Sequence, residues 1–261
     1  MRSSRSVVET RRNRVLKSLY EAGMVNVQKI AKEMGVSPLT IRRDLEILEK
    51  VEKISRFYGG AAFNKKEWEE GNIFSSGYTL NKLAIASYAA GLVADGDTIF
   101  INTSSTAAAM IPFIKAKHVT IITNNAKALN TDIPNTIHLI FTGGEMRFPK
   151  EAMVGDFAIN NLKTVTATKC FLGCNGINAN EGLTTAVMQE ASINHLMLTR
   201  VMGSRYILAD KSKIGRRLNF IYGALKEVTL LITDTEAPPH LVEEFKASIE
   251  VHQVEPFNKI P

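Results

Sequence analysis

The chain has 261 residues, 45% of them hydrophobic, with 32 Lys+Arg against 26 Asp+Glu and a formal net charge of +6. This composition can bury a core, which excludes a disordered tract or a coiled-coil rod, and no apolar run approaches the ~20 residues of a membrane-spanning helix. The excess charge is confined: residues 1–62 hold 13 Lys+Arg against 7 Asp+Glu and residues 63–261 hold 19 of each, so a basic module ahead of a neutral body is expected.

Met1–Arg5 carries charge with no apolar stretch behind it, which predicts no secretory leader. Cys170 and Cys174 lie four residues apart in one apolar run and read as core residues on one face of a single strand, too constrained to pair. A soluble protein of a reducing, cytoplasmic compartment is expected.

The first 60 residues carry helical periodicity. Val15, Leu16, Leu19 and Tyr20 recur at helical spacing among basic residues, and Gly23 is expected to stop that helix. Asn26 is a candidate N-cap for a second helix that buries Val27, Ile30, Ala31 and Met34, followed by a turn at Gly35-Val36. Ser37-Pro38 supplies an N-cap and a first-position proline for a third helix burying Ile41, Leu45 and Leu48, with Thr40, Arg42 and Arg43 facing outward. Residues 53–58 and 61–63 flank Gly59-Gly60 as a two-stranded hairpin. Two short helices joined by a tight turn, the second rich in arginine, form a helix-turn-helix over about residues 26–50, and the hairpin adds a wing. Arg42 and Arg43 can reach base edges or phosphates, Ser37 and the helix start suit a phosphate, and Arg56 and Tyr58 on the wing suit the DNA backbone or minor groove. Residues 1–63 are therefore expected to bind double-stranded DNA, and the polar residues 64–80 to form a linker.

Beyond residue 81, β-rich runs alternate with helical stretches. Strands are expected at 98–101, 119–123, 137–142, 168–172, 205–209, 229–233 and 249–254, and helices at 82–93, 106–114, 190–200 and 239–248. That alternation predicts an α/β class: a mostly parallel sheet with helices on both faces, following the N-terminal winged helix-turn-helix. Ligands of such sheets bind at the carboxyl ends of strands. The candidate strand ends are Asn102 with Ser104, Ser105 and Thr106; Thr123, Asn124 and Asn125; Gly143 and Gly144; Asn175; and Asp210 with Lys213. Together with Lys82 they would suit a small, oxygen-rich anion. The five histidines are scattered without partners at metal spacing, so neither a metal nor a cofactor is expected.

The run Ser37-Pro38-Leu39-Thr40-Ile41-Arg42-Arg43-Asp44-Leu45 resembles the signature of the DeoR-type transcriptional regulators, and Arg11 and Gly59-Gly60-Ala61 fit the same pattern. The resemblance implies that Asp44 is a structural helix residue holding an arginine. It extends over about residues 82–234, where the family's effector domain is similar to ribose-5-phosphate isomerase and binds phosphorylated sugars. Thr123-Asn124-Asn125, Gly143-Gly144, Gly182–Thr185, Glu190 and Ala209-Asp210-Lys211-Ser212-Lys213 match that domain. The pattern departs at Asn102 and Asn175, where the family carries acids, and at Ser104, where it carries glycine. An isomerase needs a carboxylate base, which asparagine cannot supply. The implied function is an oligomeric regulator, a repressor of sugar-metabolism genes released from operator DNA by a phosphorylated sugar, with residues 81–261 binding the effector and oligomerising. The alternative is a phosphosugar isomerase-like enzyme with an accessory DNA-binding domain.

Overall fold

The computed structural model describes residues 11–12, 14–15, 18, 24–51, 54–57, 59–63, 79–148 and 150–258. They fall into two compact units, Met1–Gly77 and Tyr78–Pro261. Leu16, Leu19, Tyr20, Gly23, Tyr58 and residues 64–78 of the expected linker lie outside the described residues. Thr79 caps the next helix and Leu80 begins it, so the end of that linker is already part of the second unit.

In the first unit, β1 (Met24–Asn26) leads directly into helix α1 (Val27–Met34). The Asn26 side chain accepts the backbone N–H groups of Gln28 and Lys29 at 2.9 and 3.2 Å, satisfying donors that the helix start leaves open. Gly35 ends α1 in the left-handed region at φ 64°, and Val36 N–H returns to Ala31 O at 3.0 Å. Ser37 then caps α2 (Pro38–Val51), its Oγ accepting Thr40 N–H at 3.1 Å. The wing is three-stranded rather than two-stranded. β3 (Gly60–Phe63) pairs antiparallel with both β2 (Ile54–Phe57) and β1, a strand too short to be read from alternation. Val15, Val27, Ile30, Ile41, Leu45, Leu48 and Ile54 form the core of the unit.

Asp44 is buried on the inner face of α2, where Arg11 Nε donates to its Oδ2 at 2.6 Å and Arg12 Nε to its Oδ1 at 3.1 Å. The carboxylate thus fastens the N-terminal helical residues to α2, the structural part expected of it.

The second unit is built on a seven-stranded sheet in the order β15-β14-β12-β9-β4-β5-β6, all neighbours parallel. Its strands are β4 (Thr98–Ile101), β5 (Val119–Thr123), β6 (Ile137–Phe141), β9 (Lys169–Gly173), β12 (Arg205–Leu208), β14 (Leu230–Asp234) and β15 (Glu250–Val254). Both faces are buried. Ile99, Ile101, Ile121, Phe171, Leu208 and Ile232 pack on one side with α3 (Leu80–Ala90). Phe100, Ile122, Leu172, Ile207 and Leu231 pack on the other with α5 (Asp156–Lys163), α6 (Met188–Thr199) and α7 (Pro239–Lys246). This period-two switch between two cores is what a parallel sheet covered on both faces requires.

The expected helix at 106–114 is instead one turn, α4 (Ser105–Ala108), then a 3₁₀ turn at Ile111–Phe113. Pro112 has no N–H to continue the helical ladder. Three features escaped the sequence reading: α5, the hairpin of β7 (Glu145–Arg147) and β8 (Ala152–Val154), and a small antiparallel sheet of β10 (Gly176–Asn178), β11 (Gly182–Thr185) and β13 (Phe220–Gly223).

Replacing Asp44 with Ala removes the carboxylate that both arginines share, and should cost the first unit about 1.5–3 kcal/mol. A lowered urea midpoint for the first unit, with the second unit's transition unchanged, is the expected result.

Candidate functional site

The chain runs from β4 outward to β6, then returns beside β4 with β9 and continues outward to β15. The connections therefore leave β4 and β9 in opposite directions, which opens a crevice at the carboxyl ends of those strands. A cavity of about 210 Å³ sits there.

Asn102 immediately follows β4 and bridges the crevice floor. Its Nδ2 donates to Gly173 O at 2.8 Å and to Asn194 Oδ1 at 3.0 Å, while its Oδ1 accepts Gly173 N–H at 3.0 Å and Ser104 N–H at 3.2 Å. Gly173 must be glycine, because a Cβ there would lie 1.8 Å from Ser104 Oγ. Tyr222, from the small sheet, donates its hydroxyl to Gly173 O at 3.2 Å. Asn102 is thus a neutral strap whose donors and acceptors are all engaged within the protein.

Of the residues expected at this site, Lys82, Asn102, Ser104, Ser105, Thr106, Asn125, Asn175, Asp210 and Lys213 line the cavity. Thr123, Asn124, Gly143 and Gly144 do not. Thr123 and Asn124 are fully buried: Thr123 Oγ1 accepts Asn125 N–H at 3.1 Å, and Asn124 binds both backbone groups of Met153, at 2.8 and 3.1 Å, tying β5 to the hairpin. Gly144, at φ 109°, passes so close to Val154 O and Ala158 that no side chain fits. Asn124 and Gly144 thus pack against the β7–β8 hairpin and α5.

Lining residues that were not expected include Lys127, Lys150, Asn194 and Cys174. Glu190, noted as a family match, is a lining residue as well, buried with Lys150 Nζ at 2.9 Å from its Oε2 and Arg147 Nη1 at 3.4 Å from its Oε1. Thr185 Oγ1 lies 2.8 Å from Asn175 Oδ1 and 3.3 Å from Glu190 Oε2, joining that ion cluster to the cavity wall. Asn194 had a signal in retrospect, four residues beyond Glu190 on one helix face. Lys127 and Lys150 had none, since they arrive through a 3₁₀ turn and a three-residue hairpin.

Cys174 is not on the strand with buried Cys170. It lies one residue past β9 and faces the cavity. Burial pushes its thiol up to about 12 against the opposing pull of Lys213, so it stays protonated. Burial also lowers the Lys82 ammonium below the usual lysine value; Asp210 counters the shift and Lys213 adds to it. Asp210 Oδ1 accepts Ser212 N–H at 2.8 Å, whereas its buried Oδ2 has no partner among the described residues. The cavity therefore offers cations, amides, hydroxyls and one open carboxylate oxygen, a set suited to an anion that also carries hydroxyl groups.

On the first unit, Arg42 and Arg43 are exposed along α2 and Thr40 is half-buried, its hydroxyl 2.8 Å from Ser37 Oγ. Leu39, 57% exposed at the start of the same helix, was not expected as a surface group. Arg56 lies on β2 of the wing. A cap-started helix with two exposed arginines, beside a wing, has the elements that enter a major groove.

The family described as DeoR-like helix-turn-helix domain matches residues 11–67, and that described as DeoR C terminal sensor domain matches residues 79–235. An uncharacterized HTH-type transcriptional regulator, YulB, of Bacillus subtilis (strain 168) is 31% identical over 240 residues, covering 91% of this chain and 93% of that protein. The lactose phosphotransferase system repressor of Lactococcus lactis subsp. lactis is 32% identical over 242 residues, covering 90% and 94%. Among solved structures, ribose 5-phosphate isomerase A of Methanocaldococcus jannaschii aligns at 20% identity with a TM-score of 0.36, over 51% of this chain and 52% of that one.

The strap at Asn102 admits a direct test. Asn102→Asp places an oxygen where Nδ2 now donates to Gly173 O, so a loss of about 2 kcal/mol is expected at neutral pH. Burial beside a carbonyl raises the folded-state pKa of the new carboxyl above its unfolded value. The ionisation penalty is therefore full above the folded value and shrinks as pH falls toward the unfolded one. Urea midpoints of the variant and the native protein should diverge as pH rises from 4 to 7, about the range over which a buried carboxyl titrates.

Proposed function

The chain belongs to the DeoR family of transcriptional regulators, and from that premise we propose a repressor of sugar-metabolism genes that leaves its operator when a phosphorylated sugar enters the cavity at the β4–β9 crevice. The observation that carries the effector half is the cavity lining: four lysines, amides and hydroxyls, with the buried Asp210 Oδ2 open to a ligand hydroxyl. Cations answer a phosphate, while an acceptor without a donor answers a polyol. The names of the relatives, among them lactose phosphotransferase system repressors, support regulation over catalysis.

For the DNA half, α2 would lie in the major groove with Arg42 and Arg43 toward base edges and phosphates, Ser37, Pro38 and Thr40 at its entry, and exposed Leu39 available to a thymine methyl. Arg56, on β2 of the wing, would meet the DNA backbone or minor groove, and the proposal includes Tyr58 with it. Recognition of paired half-sites calls for a second copy of the chain, so a homo-oligomer is part of the proposal. The effector acts through its differential affinity for states that bind operator strongly and weakly, and through nothing else.

Arg42→Ala or Arg43→Ala should cost about 1–3 kcal/mol of operator binding where the residue reads a base, and a uniform loss with a shallower salt slope where it touches phosphate. Operator affinity measured by gel shift at two salt concentrations distinguishes the two, and unchanged affinity in both variants removes α2 from the interface. A sugar phosphate at about 100 times its dissociation constant should stabilise the native chain by about 2.7 kcal/mol and weaken operator binding roughly 5- to 150-fold. Thermal unfolding and the same gel shift with added ligand measure both effects.

A further inference from the structure

Helix α3 brings the cavity and the end of the expected linker within four residues of each other. Thr79 is the first described residue beyond position 63 and caps α3, and Lys82, three residues on, lines the cavity. The two are bonded directly: Lys82 N–H donates to Thr79 Oγ1 at 3.4 Å, and Leu83 N–H to Thr79 O at 3.2 Å. A shift of the Lys82 backbone is therefore carried to Thr79.

The same turn is tied to the cavity wall by a second route. Asn81 Nδ2 donates to Glu236 Oε2 at 2.9 Å, and Lys211 Nζ donates to the same oxygen. Behind them the fully buried Asp234 fixes both backbones, its Oδ2 accepting Lys211 N–H at 2.7 Å and its Oδ1 accepting Glu236 N–H at 3.1 Å. Lys211 lies between Asp210 and Lys213, and both of those line the cavity. The first turn of α3, the loop past β12 and the loop past β14 thus form one bonded assembly.

Asp234 belongs to the core, but the link that reaches α3 lies in water: the side chains of Lys211 and Glu236 are 51% and 50% exposed. An exposed ion pair adds little stability. What this one adds is a restraint, because it makes the start of α3 follow the β12 loop.

We propose that the first turn of α3 is the coupling element of the regulator, with Asn81 and Glu236 as its positioning residues. An anion held by Lys82 and Lys213 clamps that turn to the β12 loop, and the clamped turn changes how the chain ahead of Thr79 lets the DNA-binding unit hold operator. This names the transmission from the sugar-phosphate site and rests on that reading.

Gel shifts of the full chain on an operator selected from random duplexes test it, with ribose 5-phosphate, fructose 1-phosphate and fructose 6-phosphate as probes ranked by calorimetry. In the native chain the tightest of these should weaken operator binding roughly 5- to 150-fold, and operator should weaken sugar-phosphate binding by the same factor. In Asn81→Ala and Glu236→Ala, each affinity measured alone should stay within about threefold of native, while the mutual weakening falls to about twofold or less. Glu243→Ala, which breaks the exposed Glu243–Lys246 pair on α7, should keep the native coupling. Should one variant fail to fold, the other decides. Native coupling in the Asn81 and Glu236 variants overturns the coupling element and leaves the sensor reading standing. So does coupling lost equally in Glu243→Ala, or lost only together with sugar-phosphate binding. Binding of none of the three probes at millimolar concentration, or binding that leaves operator affinity unchanged in the native chain, overturns the sensor reading and the coupling element with it.

Discussion

The paired hydrogen bonds between the Asn102 amide and the backbone of Gly173 are the constraint on which the sensor unit depends. A parallel sheet whose chain leaves in opposite directions from two neighbouring strands must open between their carboxyl ends. At that opening both strands would present unpaired peptide groups. Asn102 supplies a donor and an acceptor at peptide-like spacing and closes the gap. Its second acceptor bond fixes Ser104 N–H, and its second donor bond reaches Asn194 on α6. Through Tyr222 the same carbonyl holds the small antiparallel sheet. One side chain thus joins the main sheet, the turn into α4, α6 and the small sheet, so the crevice has a rigid floor before any ligand arrives.

How much of this was legible in the sequence follows from the range over which each signal acts. The seven parallel strands were legible because they are short runs, most of them carrying β-branched residues, whose alternation feeds two separate cores, as Ile99, Phe100 and Ile101 do. The helix-turn-helix was legible because its caps, Asn26 and Ser37, act within three residues of themselves. The site was legible only where a strand end faces the crevice. Asn102 and Asp210 do, whereas Asn124 and Gly144, which look equivalent on paper, turn their polar or small character to holding the β7–β8 hairpin. That hairpin has three residues per strand, too few for a periodic signal, and it carries Lys150 to Glu190 across 40 positions of sequence. Non-local pairings of this sort leave no trace in a linear pattern.

The two units treat charge in opposite ways, and the difference follows from what each meets. The first unit keeps Arg42 and Arg43 in water, where a polyanion can displace counterions on contact, and buries the neighbouring Asp44 under Arg11 and Arg12 so that it presents no negative charge on that face. The sensor unit withdraws its cations from water. Lys82 has a lowered pKa as a result, and an anion bound there would be screened by bulk salt far less than a DNA contact at Arg42 and Arg43.

The same arrangement suits the proposed binding of a sugar phosphate without its transformation. Proton abstraction from a sugar carbon needs a base poised at the reacting atom. Asn102 occupies the centre of the floor and cannot titrate, and its amide is already committed to four partners within the protein. Glu190 is clasped by Lys150 and Arg147. The Cys174 thiol, held up at about 12, offers no thiolate. What remains is a set of fixed donors and cations and the single open oxygen of Asp210, whose other oxygen already accepts Ser212 N–H. For a regulator of the proposed kind that would suffice, because the difference in effector affinity between the states that bind operator strongly and weakly is the quantity that shifts operator affinity, and turnover would only deplete the signal.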